Sequence, residues 1–169
     1  MPIVAGDIKV YLSGGAGNSD PNAALGGVIS ATQVTTATLH NLFDKVTGVE
    51  AAAGDTEYRC VYVKNTHATL TLDAAAIWIS SNSSSPDSTL DIALGGEGAG
   101  GTAETVANES TAPIGETFTS PSTYATGLSL GNLAAGVHYP VWIRRTVTAA
   151  AAADDLDTAT LSVQGDTAE

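Results

Sequence analysis

Hydrophobic and polar positions alternate most regularly in the segment DTEYRCVYVKN, residues 55–65. Successive side chains of a strand point to opposite faces, so this segment has two rows. The rows are Tyr58, Cys60 and Tyr62 on one face and Arg59, Val61 and Val63 on the other. Because both rows contain large apolar side chains, we predict a strand that is covered on both faces, in the middle of a sheet or between two layers.

A second apolar run covers residues 69–81 and follows a short polar break. Its alternation places Ile77 and Ile79 on one face of the strand. The row on the opposite face comprises Leu70, Leu72, Ala74, Ala76 and Trp78. Two apolar runs joined by a short polar segment are typical of a β-hairpin, so we expect the two runs to pair with each other at the centre of the sheet.

Shorter alternating runs, bounded by clusters of Gly, Pro, Ser and Asn, indicate further strands. They cover residues 8–13, 25–30, 89–94, 124–133, 136–147 and 158–164. Pro140 has no N–H to donate to a ladder, so its strand is predicted to lie at a sheet edge or to bulge there. Apolar residues at helical spacing within residues 39–46 predict one or two turns of helix.

Several short strands with little helix and no βαβ rhythm predict an all-β protein. The expected architecture is an antiparallel β-sandwich, jelly-roll-like, with long loops. Residues 1–169 are interpreted as one domain, long enough to bury a core without disulfides or metal. Aromatic residues make up only 5% of the chain, so a few large side chains must anchor the core. The predicted anchors are Tyr58, Tyr62, Trp78 and Trp142.

Charge excludes two classes of partner. The formal net charge is −12, from 18 acidic against 6 basic residues. Nucleic acids and anionic membranes are bound through clustered Lys and Arg, so we expect neither as a partner. The sequence has no basic start followed by an apolar run, and no stretch approaches the roughly 18 apolar residues of a membrane helix. Synthesis as a soluble cytoplasmic product is therefore expected.

Histidines and the single cysteine do not indicate a reactive site. His40, His67 and His138 have no partner at the spacing of zinc ligands. Cys60 lies in an alternating strand, where a small core residue is the favoured interpretation. We predict no catalytic residue and disfavour an enzyme.

Two acidic or glycine-rich segments also lack the required spacing. Asp154, Asp155 and Asp157 do not have the pattern or the glycine of a calcium loop. The segment GGEGAGG, residues 95–101, lacks the Lys and the Ser or Thr of a phosphate loop. We therefore predict no metal and no cofactor.

A carbohydrate-binding module is the alternative from a different class. A lectin-like sandwich presents exposed Trp or Tyr to stack on sugars, and Trp78 and Trp142 are the candidates. Both lie in strands with apolar neighbours. Packing in the core is therefore the favoured interpretation.

Three segments of the first half resemble small virion proteins encoded among the head genes of tailed bacteriophages. They read DIKVYLSGG from Asp7, LGGVIS from Leu25 and NLFDKVTGVEAAAGDTEYRCVYVKNTH from Asn41. The resemblance implies a β-sandwich or jelly-roll protein that decorates the outside of the capsid, a cement protein. The chain from Leu90 onward carries no such resemblance.

The role that this resemblance implies is structural. Such a subunit bridges neighbouring capsomers on the virion as a homo-oligomer, with the major capsid protein as its partner. Flexible arms suit this task, so residues 1–17 and the long loop region 95–122 are expected to contact the capsid or a partner, with plain exposed loops as the alternative. The candidate contact residues are Ile3, Val4, Ile8, Tyr11, Phe118 and Tyr124. A tail, baseplate or fibre component is the alternative within the same setting.

Overall fold

The protein is built almost entirely of strands. A computed structural model describes residues 1–154 and 156–167. The strands are β1 (Ile8–Leu12), β2 (Gly26–Gly27), β3 (Asp55–Asn65), β4 (Leu72–Ser81), β5 (Ser88–Leu94), β6 (Ala103–Thr105), β7 (Leu128–Leu133), β8 (His138–Val147) and β9 (Thr160–Thr167). The one α-helix of the described residues, α1 (Gly48–Ala53), precedes β3, and no helix in that part has the length and hydropathy to cross a membrane. The predicted all-β class is confirmed.

The strands form two sheets and a small ribbon, all antiparallel. The central sheet has four strands in the order β1-β3-β8-β5, the second sheet has three in the order β7-β4-β9, and the ribbon pairs β2 with β6. The predicted antiparallel sandwich is therefore confirmed. The chain passes from one sheet to the other between successive long strands, since β4 of the second sheet lies in sequence between β3 and β5 of the central sheet.

The main core lies between the central sheet and the second sheet. Aliphatic side chains on one face of β3 and β8 pack against those of β4 and β7. The buried members from these strands are Val61, Val63, Val141, Ile143, Leu72, Ala75, Ile77, Ile79, Leu130 and Leu133. Each large aliphatic side chain contributes about 1.5–3 kcal/mol by leaving water, so this layer contact holds the sandwich together.

A second core, the outer core, covers the opposite face of the central sheet. Its strand residues include Tyr58, Cys60 and Tyr62 from β3 and Trp142 from β8, with exposures of 9% or less. The cover is supplied by two long connections, which contain the β2–β6 ribbon. Its members are Leu25, Ile29, Ala103, Val106 and Phe118. The central sheet is thus buried on both faces, as the alternation in β3 predicts.

The expected hairpin of residues 55–65 and 69–81 is wrong. β3 pairs with β1 and β8, while β4 pairs with β7 and β9 in the other sheet. The buried Asn65 side chain explains the crossover, since its amide donates to the carbonyls of Leu70 and Leu133, both at 2.8 Å. Its Oδ1 also accepts from the His67 N–H at 3.0 Å. These bonds turn the chain across the core instead of back along β3.

A bulge in β4 reverses the predicted side-chain rows. The register shifts between Asp73 and Ala76, and Ala74 has a left-handed φ of 48°. The extra residue changes which face the following side chains occupy. Leu72 and Ile77 therefore both face the main core, and Trp78, predicted as a core anchor, lies half-exposed on the opposite face of the second sheet.

The helix predicted within residues 39–46 is also wrong. The structure places α1 just after it, where the Thr47 side chain accepts from the Glu50 N–H and the Glu50 side chain accepts from the Thr47 N–H. This capping box starts the helix, and Gly54 with φ of 79° ends it. Leu42 and Phe43 instead anchor a loop against the main core.

Pro140 lies in a central strand and not at an edge. β8 is flanked by β3 and β5, and Pro140 pairs with Tyr62 in a continuous register. The Pro140 carbonyl accepts from the Gly95 N–H at 2.9 Å, one residue beyond the end of β5 at Leu94. The missing N–H therefore points to a place where the β5 ladder has already ended.

Residues 1–17 and 95–122 are not free arms along most of their length. β1 pairs throughout with β3, and Leu12 is 2% exposed. The 95–122 segment contains β6, and its backbone bonds to its neighbours: the Val106 N–H donates to the Leu25 carbonyl at 3.0 Å and the Tyr58 N–H donates to the Glu109 carbonyl at 2.7 Å. Their apolar side chains and backbone groups complete the central sheet and its cover, and their contact with a capsid or partner stays a prediction.

We predict that Tyr62→Phe destabilises the fold without removing any packing. The Tyr62 hydroxyl donates to the Gly27 carbonyl at 2.5 Å and accepts from the Ala103 N–H at 2.8 Å, so it joins both ribbon strands to β3. Loss of the hydroxyl leaves two backbone groups without this partner and should lower the free energy of unfolding by about 1–3 kcal/mol in urea titrations.

Tyr139→Phe is the matched control. The Tyr139 side chain packs against the main core, and its hydroxyl has no hydrogen bond within the described residues. Its removal should change the free energy of unfolding by about 0.5 kcal/mol or less. Equal losses in the two variants would contradict the role given to the Tyr62 hydroxyl.

Candidate functional site

Charged side chains collect at the end of the central sheet where β3 begins and β8 ends. Glu57 and Arg145 are direct partners in the ladder, and Arg59 lies two residues further along β3. The Arg59 side chain is 0% exposed and that of Glu57 is 3% exposed. With Asp44 and Glu109 from two loops, they form what we call the charged cluster.

Both arginines bind carboxylates directly. Arg145 Nε donates to Glu57 Oε2 at 2.6 Å, and Arg145 Nη2 contacts the same oxygen. Arg59 Nη2 donates to Glu109 Oε2 at 2.6 Å and to Asn22 Oδ1 at 3.2 Å. Charge-assisted bonds of this kind are about twice as strong as neutral ones. They offset the cost of burying the two guanidinium groups.

An aromatic ring completes the cluster. The Phe43 ring centroid lies 5.4 Å from Arg59 Cζ and 4.8 Å from Arg145 Cζ, within the range of cation–π attraction. Arg145 Nη1 also donates to the Asp44 carbonyl at 2.8 Å. Three separate connections, which contain Asn22, residues 43–44 and Glu109, therefore meet at the two arginines.

The charge of Glu57 depends on this arrangement. Burial raises the pKa of the Glu57 carboxyl to about 7, while the neighbouring Arg145 and Arg59 oppose the rise. A carboxylate this buried holds its charge only through such partners. The cluster therefore acts as one unit, in which the loss of an arginine favours protonation of Glu57.

Three acids of the cluster have the spacing of a metal site, but their chemistry does not fit one. Ligand oxygens of Asp44, Glu57 and Glu109 lie within 4.8 Å of one another. Arg59 lies 3.8 Å from Asp44 and from Glu57 and 2.6 Å from Glu109, so positive charge already occupies the space between the carboxylates. The geometry supports an ion-pair clasp that holds loops to the sheet.

Sequence reasoning missed this cluster, although one signal was present. Arg59 stands between apolar residues in a strand predicted to be covered on both faces. A buried arginine requires a carboxylate partner. Which acids supply it depends on loops 15 and 50 residues away in the chain, and local spacing does not reveal them.

No protein family, curated protein or solved structure matches this chain. Its function has to be argued from its own surfaces.

The histidines occupy separate structural places. His67 Nδ1 accepts from the Thr69 and Leu70 N–H groups and so stabilises the turn after β3. The His138 ring packs edge-on against Tyr62 with centroids 5.0 Å apart, and burial lowers the pKa of His138. His40 is exposed in a loop with φ of 56°. Each imidazole is explained by its local packing or turn.

Two of the three aspartates considered as a calcium loop, Asp154 and Asp157, lie within the described residues. The Asp157 carboxylate accepts from the Ser83 hydroxyl at 2.5 Å and from the Ser85 N–H at 3.2 Å. Burial opposes ionisation there, but these hydrogen bonds lower the pKa of Asp157. Asp154 accepts from the Leu156 N–H at 3.0 Å, and Asp155 lies outside the described residues. Asp157 thus serves as an anchor for a serine-rich turn.

The six predicted contact residues are dispersed. Ile3 and Ile8 are half-buried against the main core, and Tyr11 and Phe118 against the outer core. Val4 is 59% exposed, whereas Tyr124 is 37% exposed and lies on the second sheet. The structure does not bring these six side chains to one surface.

A partly exposed aromatic pair lies on the second sheet. The Trp78 and Tyr124 rings pack edge-on with centroids 5.9 Å apart. Trp142, the other tryptophan considered for stacking on sugars, is 0% exposed in the outer core. Trp78 is therefore the tryptophan that solvent can reach.

We predict that Arg59→Met lowers the free energy of unfolding by about 3 kcal/mol, because it leaves buried and half-buried carboxylates without their cation. Arg144→Met is the matched control, since the Arg144–Asp91 pair at 2.7 Å has side chains 32% and 20% exposed. Partly exposed pairs contribute about 0–1 kcal/mol. Urea titration of both variants measures the difference.

The same pair of variants has a pH signature. The folded-state pKa of Glu57, about 7, lies above its unfolded value of 4.5. The free energy of unfolding therefore falls as pH rises from the unfolded value through the folded value, because the folded protein must bury the ionised carboxylate. Without Arg59 that cost increases, and the deficit of Arg59→Met should be larger at pH 8 than at pH 6. A deficit that is equal at both values, or equal to that of Arg144→Met, would contradict the clasp.

We predict that Cys60 is unreactive in the folded protein. Its side chain is 0% exposed, and burial raises the pKa of the thiol well above its ordinary value. A thiolate is the reactive species, so a thiol reagent at pH 8 should label the native chain only as it unfolds. Full labelling in denaturant provides the reference, and rapid labelling of native protein would show that the outer core opens readily.

Proposed function

We propose that this chain is a structural virion protein that binds the outside of a tailed-phage capsid and stabilises the shell by bridging capsomers. The resemblance of residues 7–15, 25–30 and 41–67 to virion proteins encoded among the head genes of tailed phages suggests this role. The observation that carries the proposal is the two-sided burial of the central sheet. It gives a body of fixed outline, which suits recognition by shape.

The loops support this role by being held in place. The charged cluster and the Tyr62 hydroxyl attach the long connections to β3. A surface that is already ordered loses little conformational entropy when it binds. Binding to the assembled lattice and not to free capsomers then stabilises the shell through linkage.

The chain start is the proposed capsid contact. Met1 is 104% exposed and Val4 is 59% exposed, while the Asp7 carbonyl accepts from the Thr66 N–H at 2.7 Å and fixes the next residues to the turn after β3. A short apolar segment is thereby presented from a fixed base. A stable contact needs about 1,000 Å² or more, so a homo-oligomer with several such segments suits the role.

Val4→Asp tests this contact against a closely matched control. Val49→Asp changes another exposed valine, which is 78% exposed and belongs to α1. α1 precedes the start of β3, whereas Val4 lies near the end of β3. β3 has 11 residues and is therefore about 35 Å long, so the two substitutions test segments next to opposite ends of this strand. Co-sedimentation with capsids stripped of decoration protein should weaken at least about tenfold for Val4→Asp and remain unchanged for Val49→Asp.

The assay also separates the alternatives. Binding of the unaltered chain to purified tails and not to heads would replace the capsid role with a tail, baseplate or fibre role. Failure to bind either particle, or equal weakening by both substitutions at unchanged melting temperature, would overturn the proposal.

A further inference from the structure

The exposed aromatic pair is held in a fixed position. The Tyr124 hydroxyl donates to the Ala74 carbonyl at 2.9 Å, across to the bulge in β4. Residues 124–126 form a 3₁₀ turn, and the Thr123 side chain accepts from the Thr126 N–H at its start. At Gly127 a Cβ would lie 3.1 Å from the Ile77 carbonyl oxygen, so this turn lies close against β4. The two rings, whose planes are inclined at 70° to each other, thus form an ordered aromatic pair that we call the platform.

Small neutral polar side chains surround this platform. Trp78 is paired with Ser162 on β9, and its neighbour Ala76 is paired with Ser129 on β7 and Gln164 on β9. Ser129 and Gln164 are exposed. Hydroxyl and amide groups donate and accept hydrogen bonds without carrying charge. The face therefore combines an aromatic surface with neutral hydrogen-bonding groups.

Charge is sparse on this sheet although the chain carries −12 overall. Within β4, β7 and β9 the charged residues are Asp73 and Asp166, which are partners at the far end of the ladder. Asp166 shares a face of β9 with Ser162 and Gln164 and lies about 13 Å from Ser162 and about 7 Å from Gln164 along the strand. A face whose strand charges are confined to one end, in a protein this acidic, favours a neutral ligand over a phosphate, an acidic sugar or a cation.

We propose that the Trp78–Tyr124 platform binds a neutral glycan by stacking a sugar ring on the exposed aromatic surface. The negative face of an aromatic ring attracts the weakly positive C–H groups on one face of a pyranose. The exposed Ser129 and Gln164 supply hydrogen-bonding groups for the sugar hydroxyls, while the Ser162 hydroxyl donates to Ser80 Oγ at 2.8 Å. A protein interface fits less well, because two partly exposed rings among small polar residues offer little of the apolar core that stable interfaces contain.

The inference does not depend on the proposed capsid role, because the platform is on the second sheet and the proposed capsid contact is at the chain start. The test uses the full chain and a panel of neutral oligosaccharides of glucose, galactose and N-acetylglucosamine. Heparin and polysialic acid provide the anionic comparison. Binding is measured by isothermal titration and by tryptophan fluorescence.

Substitutions separate stacking from general surface effects. Trp78→Ala and Tyr124→Ala should each weaken binding of a neutral oligosaccharide by about tenfold or more. Leu39→Ser is the matched control, since Leu39 is a 56% exposed apolar residue in a different loop. It should leave the affinity unchanged. Tyr124→Phe keeps the ring and loses its tie to Ala74, so an intermediate loss is expected.

Clear outcomes would overturn the inference. They are binding to no neutral glycan in the panel, preference for the anionic glycans, or equal affinity in Trp78→Ala and the unaltered chain at unchanged circular dichroism and melting temperature. Loss of self-association or of capsid binding in Trp78→Ala, without any glycan binding by the unaltered chain, would assign the platform to a protein partner instead.

Discussion

The structure depends on a sheet that is buried on both faces. β3 and β8 carry aliphatic side chains toward one core and aromatic side chains toward the other. A sheet with two apolar faces is stable only when both are removed from water. The second sheet covers one face, and two long connections have to cover the other.

Polar groups decide how those connections are attached. An apolar cover alone is non-directional and tolerates many arrangements. The Tyr62 hydroxyl and the Arg59 guanidinium extend from β3 to specific backbone and carboxylate oxygens, which select one arrangement of the loops. The cost of burying Arg59 is offset only when its partners are in place, so the clasp and the loops form together.

This division of roles leaves different surfaces free for different contacts. The central sheet and its cover form the stable body, while the chain start and the exposed face of the second sheet remain open to solvent. The proposed capsid contact and the proposed glycan platform use these two places.

The sequence by itself determined the strands with the strongest alternation and the two-sided burial of β3. It did so because a pleated backbone places successive residues on opposite faces whatever the partner strands are. The tertiary structure decided the rest. The hydrogen bonds of Asn65 direct the chain from β3 to the other sheet, and the bulge at Ala74 places Trp78 on the outer face of that sheet. Arg59 forms an ion pair with Glu109, which is 50 residues away in the chain. Strand partners, bulge positions and ion pairs depend on groups distant in the chain, so local periodicity does not predict them.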